Sequence, residues 1–289
     1  MSWELVVNVL VAGVLTGMVY GLMALGLSVI FGVVRVVNFA HGEMMTIAMY
    51  AAVIVFAALK LDPFLAVLPV AAAFFVFGYV LQAGLINPFI TRPEHSQFML
   101  LVAVAIIMVN ALLMIFGPDA RNVQTDYQLE SWALGPILFD KARVFAASAA
   151  VAAAAALFAF FRFTLTGKAI RACADNWLGA KVVGLDVKRY YALTFGLGAA
   201  CVAVAGCAMV LLVDVTPVLG PAYTLLAFVI VIVGGLGSMG GALLGGVLIG
   251  ASEALAGLFI QPSAKSMFSF ALLILVLLLR PQGLLGKRQ

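Results

Sequence analysis

Long apolar blocks fill this chain, and two of them are broken by residues foreign to an ordinary transmembrane helix. The first break reads Val36-Val37-Asn38-Phe39-Ala40-His41-Gly42-Glu43, between apolar residues 22–34 and 44–59. The second reads Gly234-Gly235-Leu236-Gly237-Ser238-Met239-Gly240-Gly241, between 225–233 and 242–258. One lies in each half of the chain. Backbone released from helical hydrogen bonding is tolerated at membrane depth only where protein or a water-filled cavity satisfies it. Paired interruptions therefore point to a transport pathway.

A spanning helix needs about 20 apolar residues. On that measure the pattern predicts spans over 5–31, 43–59, 64–85, 98–116, 144–161, 190–213, 223–235, 238–259 and 267–279. The segments 223–235 and 267–279 are short for a full crossing. The expectation is an all-α, polytopic bundle of about eight to ten spans, with two interrupted helices. It forms a single membrane domain over 1–289, with halves of roughly 1–143 and 144–289. The first apolar run follows Trp3-Glu4 without a basic leader and reads as a span rather than a signal peptide.

Lysine and arginine placement sets the orientation. The loop 162–189 carries Arg162, Lys168, Arg171, Lys181, Lys188 and Arg189 against Asp175 and Asp186. The C-terminus adds Arg280, Lys287 and Arg288. Both are expected in the cytoplasm. The loop 117–143, with Asp119, Asp126, Glu130 and Asp140, is expected outside, as is 214–222. Alternation then places 87–97 inside and the N-terminus outside.

Composition changes this picture little. Hydrophobic residues make up 65% of the chain and charged residues 10%, which excludes a soluble core. The net charge of +4 is accounted for by topology and calls for no nucleic acid. Cys173, Cys201 and Cys207 lack metal-ligand spacing and read as packing residues. Gly13, Gly17 and Gly21 form a four-residue stripe on the first span, as do Gly241, Gly245 and Gly246 with Gly250 on a later one.

Candidate chemistry is sparse. Asn38, His41 and Glu43 bring polar groups into an apolar region, with Gly42 free to turn and Glu43 opening the next helix. They suit a wet pathway, or equally a cytoplasmic loop anchored by Arg35. Gly235-x-Gly237-x-x-Gly240 resembles a phosphate loop, but no strand precedes it and the flanks are membrane helices. Glycine there serves a break and close packing. Glu253 is an intramembrane carboxylate, and such residues face the bundle interior. Residues 166–187 read as two short helices with basic edges, suited to docking another protein or to an interfacial anchor. No nucleophile elbow, HExxH or GxxxxGK[ST] sequence is present, so no enzyme activity is expected.

The runs VVNFAHGEMM, TGKAIRACADNWLGAKVVGLDVKRYYALTFGLGAACVAVAG, VIVIVGGLGSMGGALLGGVLIG and LLRPQGLLG occur in that order. Together they resemble a permease subunit of the branched-chain amino acid type ABC importers, the shorter of the two permease types, from residue 5 to 286. The resemblance implies half of a translocation pore in a bacterial inner membrane, with the C-terminus cytoplasmic. The partners would be a second, homologous permease, two cytoplasmic ATPases that bind ATP and Mg, and an extracytoplasmic substrate-binding protein. This chain would bind no cofactor and would contact lipid. It implies ATPase coupling through Lys168, Arg171, Asp175, Ala180 and Gly184. It places Asn38, Phe39, His41, Glu43, Gly234, Gly235, Gly237 and Ser238 by the substrate pathway. The family also serves urea, short amides and aromatic acids. The alternative reading is an ion-coupled secondary transporter using Glu43 and Glu253.

Overall fold

A computed structural model describes residues 3–260 and 265–286. Lys287 and Arg288, two of the cations expected at the cytoplasmic end, lie outside the described residues. The helices are α1 (Trp3–Val34), α2 (His41–Leu59), α3 (Pro63–Leu81), α4 (Glu94–Phe116), α5 (Lys141–Phe163) and α6 (Leu165–Asp175). They continue with α7 (Trp177–Val182), α8 (Val187–Met209), α9 (Gly220–Gly234), α10 (Met239–Phe259) and α11 (Lys265–Leu279). Among the described residues, eight segments are long and apolar enough to cross a membrane, and α11 adds a shorter apolar helix. The chain is an all-α polytopic membrane protein, as the hydropathy pattern predicts.

Differences from the predicted spans have local causes. The third span does not stop near residue 85. It passes through a π-helical turn (Gln82–Ile86) and a 3₁₀ turn (Asn87–Phe89). There Gln82 Nε2 donates to Asn87 Oδ1 at 3.0 Å, and Asn87 Nδ2 donates to Lys188 O at 3.3 Å. These bonds replace regular ladder contacts and fix the end of α3 on α8. The loop 117–143 contains an unexpected hairpin, β1 (Ser131–Leu134) paired antiparallel with β2 (Ile137–Asp140). Its two-residue turn is Gly135-Pro136, with Gly135 at φ 65°, as a type II′ turn requires. Asn8 ties the start of α1 to it, accepting from Leu138 N–H at 2.8 Å.

Small residues set the central packing. The two predicted glycine stripes face each other across the antiparallel α1–α10 pair. A Cβ on Gly17 would stand 2.7 Å from Gly246 O, and one on Gly13 would stand 2.7 Å from Gly250 O. In lipid no hydrophobic force separates helix from solvent, so close van der Waals contact holds such pairs together. α3 packs on α8 in a similar antiparallel manner, with Gly78 against Ala199 and Gly196 against Phe75.

The bundle has two unlike ends. One carries Arg35, Arg92, Arg162, Arg280 and the α6–α7 elbow, and is the basic face. The other carries Asp62, Asp119, Asp126, Glu130, Asp140 and Asp214. Here Asp62 caps α3 and also accepts from Tyr127 Oη at 2.8 Å. Burial and that carboxylate push the Tyr127 phenol above its ordinary range. Lys141 bridges Glu130 at the same face.

Because backbone of α10 occupies the space where a Cβ would go, Gly17→Val should force α1 and α10 apart. The expected cost is about 1–3 kcal/mol or more. It would be read as a lowered Tm and loss of the monodisperse peak in detergent, whereas Gly84→Ala, whose Cβ meets nothing within 4 Å, should leave both unchanged.

Candidate functional site

The first break is a buried, extended segment that re-enters the bundle. α1 ends at Val34 on the basic face, and Arg35 reverses the chain at φ 59°. By the start of α2, His41 Nε2–H donates to Met23 O at 2.9 Å. Met23 lies about 16 Å back along α1 from Val34, at a rise of about 1.5 Å per residue. Residues 35–40 therefore climb from the basic face toward mid-depth, and α2 starts there. Asn38 holds the turn, its Oδ1 accepting from Ala40 N–H at 3.1 Å and its Nδ2 reaching Met44 Sδ at 3.5 Å.

A second descent comes from the other face. After α8, residues 210–216 are irregular, bonded to Arg121 through Val215 and to Gln128 through Leu211. They lead to a 3₁₀ turn (Pro217–Leu219) and the start of α9. α9 has 15 residues, about 22 Å, and also begins inside the bundle. The charge pattern predicts 214–222 outside, and its second half instead enters the bundle. The signal that could have marked it is the pair Pro217 and Pro221 around Gly220, which sets a helix start before the short apolar run.

The two helix starts meet. Gly42 N–H donates to Thr224 Oγ1 at 2.8 Å, and that hydroxyl donates to Glu43 Oε2 at 2.9 Å. Gly42 lies so close to Gly220 O and Thr224 N that no side chain would fit. Neither α2 nor α9 has a side-chain cap on its own N-terminal residue, so Thr224 supplies one across the junction. The carboxyl of Glu43 sits against Gly220, between two N-termini whose dipoles favour negative charge. Asn38 is 0% exposed, His41 0% and Glu43 3%, so all three are enclosed by this chain itself. Phe39 is half-buried and rests on Phe98 and Phe228.

The glycine-rich break lies elsewhere. Gly234, Gly235, Gly237 and Ser238 form a tight reversal at the basic end of α9, about 15 Å along that helix from Thr224. Gly235 (φ 105°) and Gly237 (φ 76°) make the turn, and Ser238 caps α10 through Gly241 N–H at 3.1 Å. The terminal RPQGLLG run lies over it. Leu284 N–H donates to Val233 O and Leu285 N–H to Gly234 O, both at 2.9 Å, closing two carbonyls left open at the end of α9. The structure thus does not bring the two sequence-defined breaks together. It brings the first to Gly220 and Thr224.

The α6–α7 elbow stands on the basic face. Thr164 caps α6 through Gly167 N–H at 3.0 Å, and Asn176 caps α7 through Gly179 N–H at 2.9 Å. Gly167, Ile170 and Cys173 turn inward, and burial raises the Cys173 thiol. Lys168, Arg171 and Asp175 are exposed on the opposite side of α6, joined by exposed Trp177, Leu178 and Val182 of α7. Ala180 packs inward, and Gly184, at φ 88°, makes the turn that ends α7. Glu253, on α10, accepts from Ser269 Oγ at 2.6 Å, away from Glu43.

Broken helices whose ends meet inside a multi-pass bundle define a transport-type membrane protein. Its sequence places it further: residues 9–277 match the branched-chain amino acid transport system / permease component family, and the chain belongs to that family. It is 32% identical to the high-affinity branched-chain amino acid transport system permease protein LivH of Escherichia coli, over 95% of this chain and 94% of that one. LivH of Salmonella typhimurium gives the same values. BraD of Pseudomonas aeruginosa, a permease protein of the same description, is 29% identical over 96% of this chain and 95% of its own length.

Removing the Thr224 hydroxyl leaves Gly42 N–H and Glu43 without their shared partner. Thr224→Val should cost about 1–3 kcal/mol, seen as a fall in Tm in detergent, and Thr224→Ser should recover most of it. Equal Tm values for both variants would show that the junction does not hold α2 and α9.

Proposed function

We propose that this chain is the permease subunit of an ATP-driven importer of branched-chain amino acids or a related small polar solute. It forms half of the pore, beside a second, homologous permease. The basic face lies in the cytoplasm, following the bias that retains lysine and arginine there, and with it the described C-terminal segment. Two ATPases dock on that face and bind ATP and Mg, and a substrate-binding protein docks on the opposite one.

The observation that carries this reading is the α6–α7 elbow. It is a pair of capped, rigid helices outside the spans that projects Lys168, Arg171, Asp175 and the apolar tip Trp177, Leu178 and Val182. Ala180 and Gly184 shape the elbow rather than offer contact surface. Its N-terminus continues from α5, and its inner side packs on α1 and α8, so a push on it reaches both helices that lead into the re-entrant segments. We read α1–α4 and α8–α11 as inverted counterparts, since α3 packs on α8 as α10 packs on α1. Rocking of one set on the other would alternate access around the Thr224–Glu43 junction.

Within the pathway set, Asn38, His41 and Glu43 hold the α2 start in place, and Gly234, Gly235, Gly237 and Ser238 hold the α9–α10 reversal. Phe39 and Ser238, both half-buried, have surface to offer a solute. An ion-coupled carrier would need a mobile Glu43, which is instead bonded to Thr224 and packed on Gly220.

The test is ATP-driven leucine uptake in vesicles containing the chain with its co-purified ATPases. Arg171→Glu or Asp175→Lys should lower uptake about tenfold or more, because like charges at an interface cost several-fold in affinity per contact, while Tm in detergent stays the same. Undiminished uptake would overturn the role of the elbow.

A further inference from the structure

Three phenylalanines from distant parts of the chain meet beside the first re-entrant segment. Phe39 belongs to that segment. Its ring centroid stands 4.6 Å from that of Phe98 on α4, edge-on at 86°. It stands 5.1 Å from that of Phe228 on α9, tilted at 41°. The rings lie between the Thr224–Glu43 junction and the basic face. Phe228 is about 9 Å from the basic end of α9, against about 15 Å for Thr224. Phe98 is about 6 Å from the start of α4, which follows Arg92 of the basic face.

A core built for packing alone would enclose these rings, as it encloses Tyr50 and Phe195. Instead Phe98 is 45% exposed, and Phe39 and Phe228 are half-buried. Leu225, one turn of α9 beyond Phe228 on the side of the junction, is 56% exposed. Irregular backbone at membrane depth is kept from lipid, so the open side of residues 35–40 faces protein or water. Phe39 is also joined to the junction. Its carbonyl oxygen is 3.4 Å from Thr224 Oγ1, whose single proton goes to Glu43 Oε2 at 2.9 Å. A shift of Glu43 would free that proton for Phe39 O, so the backbone that carries the ring responds to the junction.

Resting on the importer reading, we infer that Phe39, Phe98 and Phe228 form an apolar gate between the junction and the cytoplasm, with Phe39 as its moving leaf. Phe98 and Phe228 stand on long helices, whereas Phe39 stands on six residues outside any helix. Closed, the rings offer no polar partner to water, ions or a polar solute, and a constriction of hydrocarbon holds these back by dewetting. Each ring contact shifts the balance of closed and open forms about two- to tenfold, so a binding event elsewhere is enough to open the gate.

The native cysteines are all buried, so a reporter thiol beyond the gate can be followed alone. Leu225→Cys in the full transporter, in inside-out vesicles, is labelled from the cytoplasmic side with a charged, membrane-impermeant methanethiosulfonate. Rates are measured without nucleotide, with ATP and after vanadate trapping. In the state that labels most slowly, adding Phe39→Ala should speed the reaction about tenfold, the weight of two ring contacts. Phe98→Ala, at the exposed edge, should do the same and serves if Phe39→Ala does not fold. Unchanged rates in both variants overturn the gate. A reporter inert in every state and every variant also overturns it, since the partner permease would then fill that side. If the wild-type transporter moves no leucine with ATP, the importer reading fails instead, and the comparison of variants still decides the gate.

Discussion

The architecture depends on satisfying two helix N-termini that begin inside the membrane. Each leaves backbone N–H groups without helical partners, and in hydrocarbon such groups are costly. The chain solves both problems with one contact. Thr224 accepts from Gly42 and donates to Glu43, while Gly220 and Gly42 are bare enough for the two backbones to touch. A carboxyl placed between two positive dipole ends is at home where it would otherwise be expensive. A carboxyl in the membrane is thus a structural tie between the two halves of the chain.

The close helix pairs are built on a different principle. α1 and α10 approach so closely that their glycines meet backbone to backbone, and α3 and α8 repeat the device with Gly78 and Gly196. The tail at Gly283–Gly286 adds a clasp on the basic face, since its N–H groups close the open carbonyls of α9 beside the α9–α10 reversal. The elbow, the tail and Arg35 all lie at that end, beside the route by which residues 35–40 enter the bundle.

Much of this was legible in the residues. Apolar run length gave the spans, and Gly13, Gly17 and Gly21 announced close packing. Thr164, Asn176 and Asp186 sit where helix caps belong, so the elbow could be read as two short helices. The second re-entrant segment could not be read so easily. Residues 210–219 run on from the predicted span over 190–213, and only Pro217 hints that they turn inward. Glu253 was recognised as intramembrane, but Ser269, its partner, is an unremarked serine on another helix.

What the sequence determined by itself was a multi-pass helical membrane protein with an unusual polar break at Asn38–Glu43, because hydrophobic length and charge bias are local quantities that need no partner. What only the tertiary structure decided was the meaning of that break. Its partner is Thr224 on α9, 181 positions from Glu43, and not the glycine-rich turn that looked like its match. Hydrogen bonds between helix ends depend on depth and facing, which the packing of α1, α8 and α10 sets and no single segment contains.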